Sequence, residues 1–209
     1  MADDCCSAKG QELDRLAQQA DLRRVLVIVL LINAVMFIAE FGAGVVAGST
    51  ALMADASDML GDALVYGVSL YALSRSDRWK AGAATFKGAF ILLLGAGIIV
   101  NIVVKISSGV PPSSTLMLAF GAAALVANLT CLALLWRFRS HDVNLSSTFE
   151  CSRNDVISNI GVLIAAVAVA AFASPWPDIF IGALIAVIIF RSSARVLAEA
   201  IPQLRAERA

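Results

Sequence analysis

Residues 48–62 read GSTALMADASDMLGD, a stretch that places Asp58 and Asp62 inside an otherwise largely apolar run. Side chains four positions apart lie on one face of an α-helix, so a helix here would point both carboxylates in the same direction. An unpaired carboxylate within the hydrocarbon of a membrane is costly and by default marks a functional site. The stretch therefore predicts a membrane helix that carries half of an ion site.

A second pair with the same spacing follows further along the chain. Residues 144–161 read NLSSTFECSRNDVISNIG, in which Cys151 and Asp155 are four positions apart. Carboxylates and thiolates bind metals, and two converging pairs supply the four ligands that a tetrahedral divalent cation requires. The predicted ligands of one such cation are Asp58, Asp62, Cys151 and Asp155.

The composition is that of an integral membrane protein. The chain has 209 residues, of which 59% are hydrophobic and 15% are charged, and its mean hydropathy is +0.83. An average soluble domain has about 25% charged residues. Apolar runs of about 20 residues, long enough to span a bilayer, lie at residues 25–47, 51–73, 87–107, 115–136, 146–172 and 178–198. We therefore predict an all-α, polytopic membrane protein with six transmembrane helices.

The basic residues predict how these helices are oriented. Most Lys and Arg residues lie in the N-terminal segment, between helices 2 and 3, between helices 4 and 5, and in the C-terminal segment. Because cytoplasmic segments carry an excess of Lys and Arg, both termini are expected in the cytoplasm, with Lys105 on the opposite side. The expected organisation is a cytosolic tail over 1–24 that can include a short amphipathic helix, a transport domain over 25–201, and a cytosolic tail over 202–209.

This orientation places the two ligand pairs at similar depths. Helix 2 would enter from the outer side near Thr50, and helix 5 would enter from the inner side near Leu145. At about 1.5 Å per residue, both pairs then lie near the middle of a hydrocarbon core about 30 Å thick. Transporters commonly bind their cargo at this depth.

Both ligand stretches resemble helices of the cation diffusion facilitators. Residues 48–62 are similar to the second-helix motif of that family, in which small residues and Ala-Asp precede a His/Asp-x-x-x-Asp pair, and residues 144–161 are similar to its fifth helix. Other similar positions are Asn33 and Glu40 in helix 1, Asn128 in helix 4, and Pro177 with Asp178 at the start of helix 6. The resemblance covers residues 25–201. It implies a homodimeric exporter of divalent metal, usually zinc, that exchanges metal for protons across a lipid bilayer.

Three features depart from the family pattern. Cys151 stands where the family usually has His, the loop that is usually rich in histidine is short and has only His141, and the chain ends soon after Pro202. We therefore expect the transmembrane domain alone, without the cytosolic metal-binding domain of the family. Three carboxylates and one thiolate favour zinc, with cadmium or cobalt as alternatives. Cys151 could instead be a small buried apolar side chain.

Proton exchange follows from the same ligand chemistry. A thiol and a carboxyl group lose their protons when they bind a metal, so metal and protons compete for the site. Three closely spaced carboxylates in a low-dielectric site cannot all stay ionised without a cation. We therefore expect the empty site to carry protons inward, with the site exposed alternately to the two faces of the membrane.

Further residues are predicted to act around the four ligands. Asp55 is expected beside a ligand or at the entrance of the site, with structural pairing as the alternative. Asn159 is expected to hydrogen-bond a ligand, and Glu40 is expected to pack or to gate the site. Cys5 and Cys6 provide two thiols that could capture metal on the cytosolic side.

Other classes of function remain open at this stage. A proton-coupled carrier of another solute would also need intramembrane carboxylates. An intramembrane aspartyl protease needs two aspartates and a Gly-x-Gly-Asp pattern, but Met59 occupies the position of its first glycine. A membrane metal sensor would bind zinc without passing it. We expect a transporter of the bacterial inner (plasma) membrane, not an enzyme, with no resident cofactor and no nucleic-acid partner.

Overall fold

A computed structural model describes residues 2–72, 77–138 and 143–206, and most side chains between positions 20 and 202. These residues form six α-helices in succession, which confirms the predicted all-α fold. The helices are α1 (Ala2–Ala47), α2 (Thr50–Ala72), α3 (Asp77–Ser108), α4 (Ser114–Trp136), α5 (Val143–Phe172) and α6 (Trp176–Ala206).

Four stretches within these helices are long and apolar enough to cross a membrane by themselves. They are Ala20–Ala47, Gly88–Ser108, Ser114–Trp136 and Ser152–Phe172. Helix α2 is of similar length, but it carries Asp55, Asp58 and Asp62 among its apolar residues. The chain is thus a polytopic membrane protein. The cytoplasmic location of both termini stays a prediction.

The first helix is longer than its apolar part. α1 runs without a break from Ala2 to Ala47, so the helical part of the predicted tail over 1–24 continues directly into the first apolar run. α6 likewise continues past the predicted domain boundary at residue 201 and includes Pro202. The side chains of Cys5 and Cys6 lie outside the described residues, so their predicted role in metal capture stays a prediction.

A short turn at Gly48 reverses the chain between α1 and α2. Gly48 has φ of +63°, a backbone conformation that glycine adopts without steric cost. Its N–H donates to the carbonyl of Val45 at 3.2 Å, and the N–H of Ser49 donates to the carbonyl of Gly44 at 2.8 Å. These bonds satisfy carbonyl groups at the end of α1 and bring α2 antiparallel to it.

Glycines let α2 lie unusually close to both α1 and α6. A Cβ atom added to Gly44 of α1 would lie 2.8 Å from the side chain of Met53 and 3.0 Å from its backbone nitrogen. A Cβ atom added to Gly182 of α6 would lie 2.8 Å from the side chain of Thr50 and 3.0 Å from the backbone nitrogen of Ala51. Small residues of this kind allow close contact between membrane helices. Here they pack α2 within one chain.

Two clusters of buried apolar residues lie at different levels of the helix bundle. The larger cluster includes Leu52, Met117 and Val162, near the end of the bundle at which α1 turns into α2. The smaller cluster includes Val29 and Leu135, towards the opposite end. Apart from Thr50 at the start of α2, the buried polar residues of α1, α2, α4 and α5 fall between the two clusters. Buried polar side chains from four helices thus share one level of the bundle.

We predict that Gly182→Ala destabilises the protein by about 1 to 3 kcal/mol, the usual cost of overpacking. The added methyl group would meet the backbone of α2, which cannot move away as a flexible side chain could. Gly42→Ala is the matched control, because nothing lies within 4 Å of its added Cβ. Thermal unfolding of the detergent-purified variants measures both effects. Equal melting temperatures for the two variants would contradict the close contact between α6 and α2.

Candidate metal centre

Helices α2 and α5 face each other through their carboxyl groups. Asp155 of α5 is hydrogen-bonded to Asp62 of α2, and Asp58 is near enough to act on it electrostatically. All three side chains are partly buried. The structure thus brings together the three carboxylates that the sequence predicted to converge. Their binding of a metal stays a prediction.

The tetrahedral geometry of the site also stays a prediction. Within the part of the chain that the structure describes, no three His, Cys, Asp or Glu side chains are arranged to hold a metal ion. The backbone of Cys151 belongs to α5, one turn before Asp155, but its side chain lies outside the described residues. The contact between Asp62 and Asp155 is therefore the described part of the candidate centre.

A chain of amide groups connects α4, α5 and α2 beside these carboxylates. Asn128 donates a hydrogen bond from Nδ2 to Oδ1 of Asn159 at 3.2 Å, and Asn159 donates from Nδ2 to Oδ2 of Asp55 at 2.5 Å. All three residues are at most 2% exposed. Asn159 therefore holds Asp55, which is not one of the four predicted ligands. This contact fixes α5 against α2 at the level of the site.

Glu40 is buried on the α1 side of the same level. It is fully buried, and neither of its carboxylate oxygens accepts a hydrogen bond from the described residues. The group that lies against it is the carboxyl group of Asp55. Asp55 thus lies between Glu40 of α1 and Asn159 of α5.

The polar neighbours of Cys131 were not predicted from the sequence. Cys131 of α4 is 1% exposed, its Sγ lies 3.7 Å from Nδ2 of Asn33, and Asp62 is near enough to act on it electrostatically. The spacing of Asn128 and Cys131 was the available signal, because residues three positions apart share one helix face. A buried thiol therefore lies beside the carboxylates at the face where α4 meets α1 and α2.

A second buried polar cluster lies at the Gly48 turn. The carboxylate of Asp178, in the first turn of α6, is completely buried. Its four donors are Ser49 Oγ at 2.6 Å, the N–H of Thr50 at 2.9 Å, the N–H of Ala51 at 3.1 Å, and Lys105 Nζ at 2.5 Å. Lys105 also donates to the carbonyl of Gly48. Asp178 thus caps α2 from a different helix.

This cluster satisfies several costly groups at once. The first N–H groups of a helix have no partner within that helix, and a carboxylate is favoured there by the helix dipole. The charge of Lys105 is buried, with 6% exposure, and is paired with Asp178. Lys105 was predicted only as a charge on the outer side, and Asp178 was noted only as a position similar to the family. An isolated Lys and an isolated Asp at the same predicted level were the available signal.

We predict that Asp178→Asn and Lys105→Met each cost about 3 to 5 kcal/mol, because each single change removes one partner of a buried ion pair. The double variant should be less destabilised than the sum of the two, by about 0.5 to 3 kcal/mol. Thermal unfolding of the four proteins in detergent provides this double-mutant cycle. Additive losses of stability would show that the two side chains do not interact.

The family model described as the cation efflux transmembrane domain matches residues 26–205. The chain is 25% identical to the cadmium, cobalt and zinc/H(+)-K(+) antiporter of Bacillus subtilis, over 87% of this chain and 63% of the relative. It is 27% identical to the metal cation efflux system protein CzcD of Cupriavidus metallidurans, over 86% and 63%. It is 27% identical to the zinc transporter ZitB of Yersinia pestis, over 90% and 64%. The chain thus spans slightly less than two thirds of the length of these relatives.

Proposed function

The chain belongs to the cation efflux family, and from this premise we propose that it exports divalent metal cations across the plasma membrane. The single observation that supports this most directly is the contact between Asp62 of α2 and Asp155 of α5. It brings acidic groups from two helices together inside a membrane bundle, where a divalent cation would balance their charge. The relatives are named as transporters of metal cations, which supports a transporter over an enzyme.

Zinc is the proposed cargo, with cadmium and cobalt as alternatives. The proposed ligands are the three carboxylates and the thiolate of the two sequence pairs, Asp58, Asp62, Asp155 and Cys151. Oxygen ligands suit harder ions and a thiolate suits softer ions, so the mixed set fits zinc and its chemical neighbours. The names of the relatives include zinc, cadmium and cobalt.

Proton exchange is the proposed driving reaction. Two carboxyl groups that are hydrogen-bonded to each other must share a proton, because a carboxylate without one has only acceptor atoms. A cation that binds between Asp62 and Asp155 would displace that proton, and protonation would in turn displace the cation. Alternating exposure of the site to the two faces of the membrane converts this competition into antiport. We also propose a homodimer, by resemblance to the family.

The alternatives would give different results in assays of the purified protein. The contact between two aspartates on neighbouring helices is also what an aspartyl protease would need, and cleavage of a helical substrate would support that function. A metal sensor would bind zinc without transporting it. A carrier of another solute would remain fully active in the absence of metal.

We predict that proteoliposomes with a pH gradient exchange zinc in step with that gradient, and that Asp62→Ala abolishes this exchange. The loss is expected because Asp62 contributes to both the metal site and the shared proton. Zinc flux is followed with a fluorescent zinc indicator inside the liposomes. Asp21→Ala is the matched control, because Asp21 lies on an exposed part of α1, 3.7 Å from Arg137. Zinc flux that is indifferent to the pH gradient would exclude the proposed coupling.

We predict that Cys151→His lowers the preference for cadmium over zinc, because imidazole is a less soft ligand than thiolate. Competition among zinc, cadmium, cobalt and manganese in transport vesicles measures this preference. Cys131→Ala provides a matched control in which a different buried thiol is removed. A metal preference that changes with Cys131→Ala but not with Cys151→His would show that Cys151 is not the soft ligand.

A further inference from the structure

Glu40 and Asp55 form a buried carboxyl pair that the proposed metal ligands do not include. Glu40 is 0% exposed and Asp55 is 1% exposed. The two groups lie against each other across the contact between α1 and α2. Two acidic side chains in such a position require an explanation, because a buried charge without a partner is very costly.

The hydrogen bonds around this pair are unequally distributed. Asp55 accepts a bond from Nδ2 of Asn159 at 2.5 Å, whereas neither oxygen of Glu40 accepts any bond from the described residues. Two ion pairs in the described part of the chain, Lys105 with Asp178 and Arg137 with Asp21, include neither Glu40 nor Asp55. Glu40 therefore has only another acceptor beside it. A proton or a cation must lie between the two groups to join them.

The surroundings of the pair favour a proton over a metal ion. The amide of Asn159 presents its N–H to Asp55, and its carbonyl oxygen already accepts from Asn128. An N–H directed at the site repels a cation, and the remaining described ligands are only two carboxyl groups. Calcium and magnesium need six or more oxygen ligands. A single shared proton satisfies both carboxyl groups without further ligands.

We propose that Glu40 and Asp55 form a proton-binding site that is separate from the metal ligands and exchanges its proton during transport. The pair holds one more proton when the metal site is empty than when it is filled. That proton leaves for the aqueous phase as the metal enters, and it returns from water as the metal leaves. This inference rests on the proposed function.

The coupling between the two sites is electrostatic. Asp55 is near enough to Asp155 for the charge of one to act on the other. A divalent cation bound at Asp155 would make ionisation of the pair more favourable, because opposite charges stabilise each other in a low-dielectric interior. Metal binding would thereby release a proton that no metal ligand carries.

Other titratable groups lie on the helices that pack against α1 and α2. On α2 itself these groups are Asp58 and Asp62, on α5 Asp155, and on α4 Cys131. On α3 and α6 they are Lys105 and Asp178, which neutralise each other at the Gly48 turn. Of these, Asp155 is the group through which a metal ion would act on Asp55. The experiment must therefore separate the pair from the ligands.

Counting the protons released per zinc ion bound tests the proposal. The purified protein in lipid nanodiscs is titrated with zinc by calorimetry in buffers of different ionisation enthalpy. Glu40→Gln should still bind zinc but release about one proton fewer per zinc than the wild type. Asp55→Asn should give the same reduction, and the double variant should lose no more than either single variant. Asp21→Asn is the control, because it removes an acid from the same helix without touching the pair.

The possible outcomes are distinguishable. A folded, zinc-binding Glu40→Gln variant with an unchanged proton count would overturn the proposal, and so would a count that depends on added potassium or sodium. Failure of the wild type to bind zinc would instead overturn the proposed function. If Glu40→Gln does not bind zinc, the infrared spectrum of the zinc-free protein decides. The proposal requires that this variant lose the band of a protonated carboxyl group that the wild type shows.

If Glu40 had a purely structural role, Glu40→Gln would lower the melting temperature. Glutamine has nearly the same shape as glutamate and can donate an N–H to Asp55, which the glutamate can do only when protonated. Glu40→Gln is therefore expected to keep the melting temperature of the wild type or raise it. A lower melting temperature with an unchanged proton count would assign Glu40 to packing alone.

Discussion

The cap that Asp178 places on the first turn of α2 is the interaction on which the site depends. α2 carries Asp55, Asp58 and Asp62. The directions in which these side chains point depend on the position of the first turn of α2. Asp178 binds the N–H groups of Thr50 and Ala51, and Lys105 ties the same carboxylate to the turn before α2. At about 1.5 Å per residue, Asp62 lies roughly 18 Å along the helix from this cap. A rotation at the first turn would move every acidic side chain off its partner.

The polar level of the bundle is the second constraint. An unsatisfied polar group is costly in a low-dielectric interior, so each buried polar side chain requires a partner at the same depth. Asn128, Asn159 and Asp55 meet this requirement from three different helices. An apolar cluster lies on either side of this level. The polar level is therefore narrow, and its members act on one another through short distances.

The six helices, and the two helices that carry the carboxylates, could be predicted from the sequence. The spacing of Asp58 with Asp62 fixes their common face, and the position of Asp155 along its helix fixes its depth, which suffices to predict that α2 and α5 meet. The spacing of residues along a helix does not show which other helix packs against each of its faces. For this reason the contact of Asn159 with Asp55, and not with a predicted ligand, could not be predicted.

The same limit applied to residues far apart in the chain. Lys105 and Asp178 are separated by 73 positions, and the rule that assigns basic residues to one side of a membrane treats the lysine as a free surface charge. Glu40 was predicted to pack or to gate the site, but its position opposite Asp55 depends on how closely α1 approaches α2 at Gly44. These contacts arise from packing, and packing requires the three-dimensional arrangement.

Two buried carboxyl groups in this chain illustrate opposite uses of the same chemistry. Asp178 has a fixed cation in Lys105 and three further donors, so its charge is balanced permanently and the cluster stabilises the fold. Among the described residues Glu40 has neither a donor nor a cation, and its neighbour is the carboxyl group of Asp55, so a proton shared by the two groups balances its charge. A static role would have been served at lower cost by an amide, which could donate to Asp55. The acid at position 40 is therefore better explained by the proposed proton exchange with Asp55 than by a structural role.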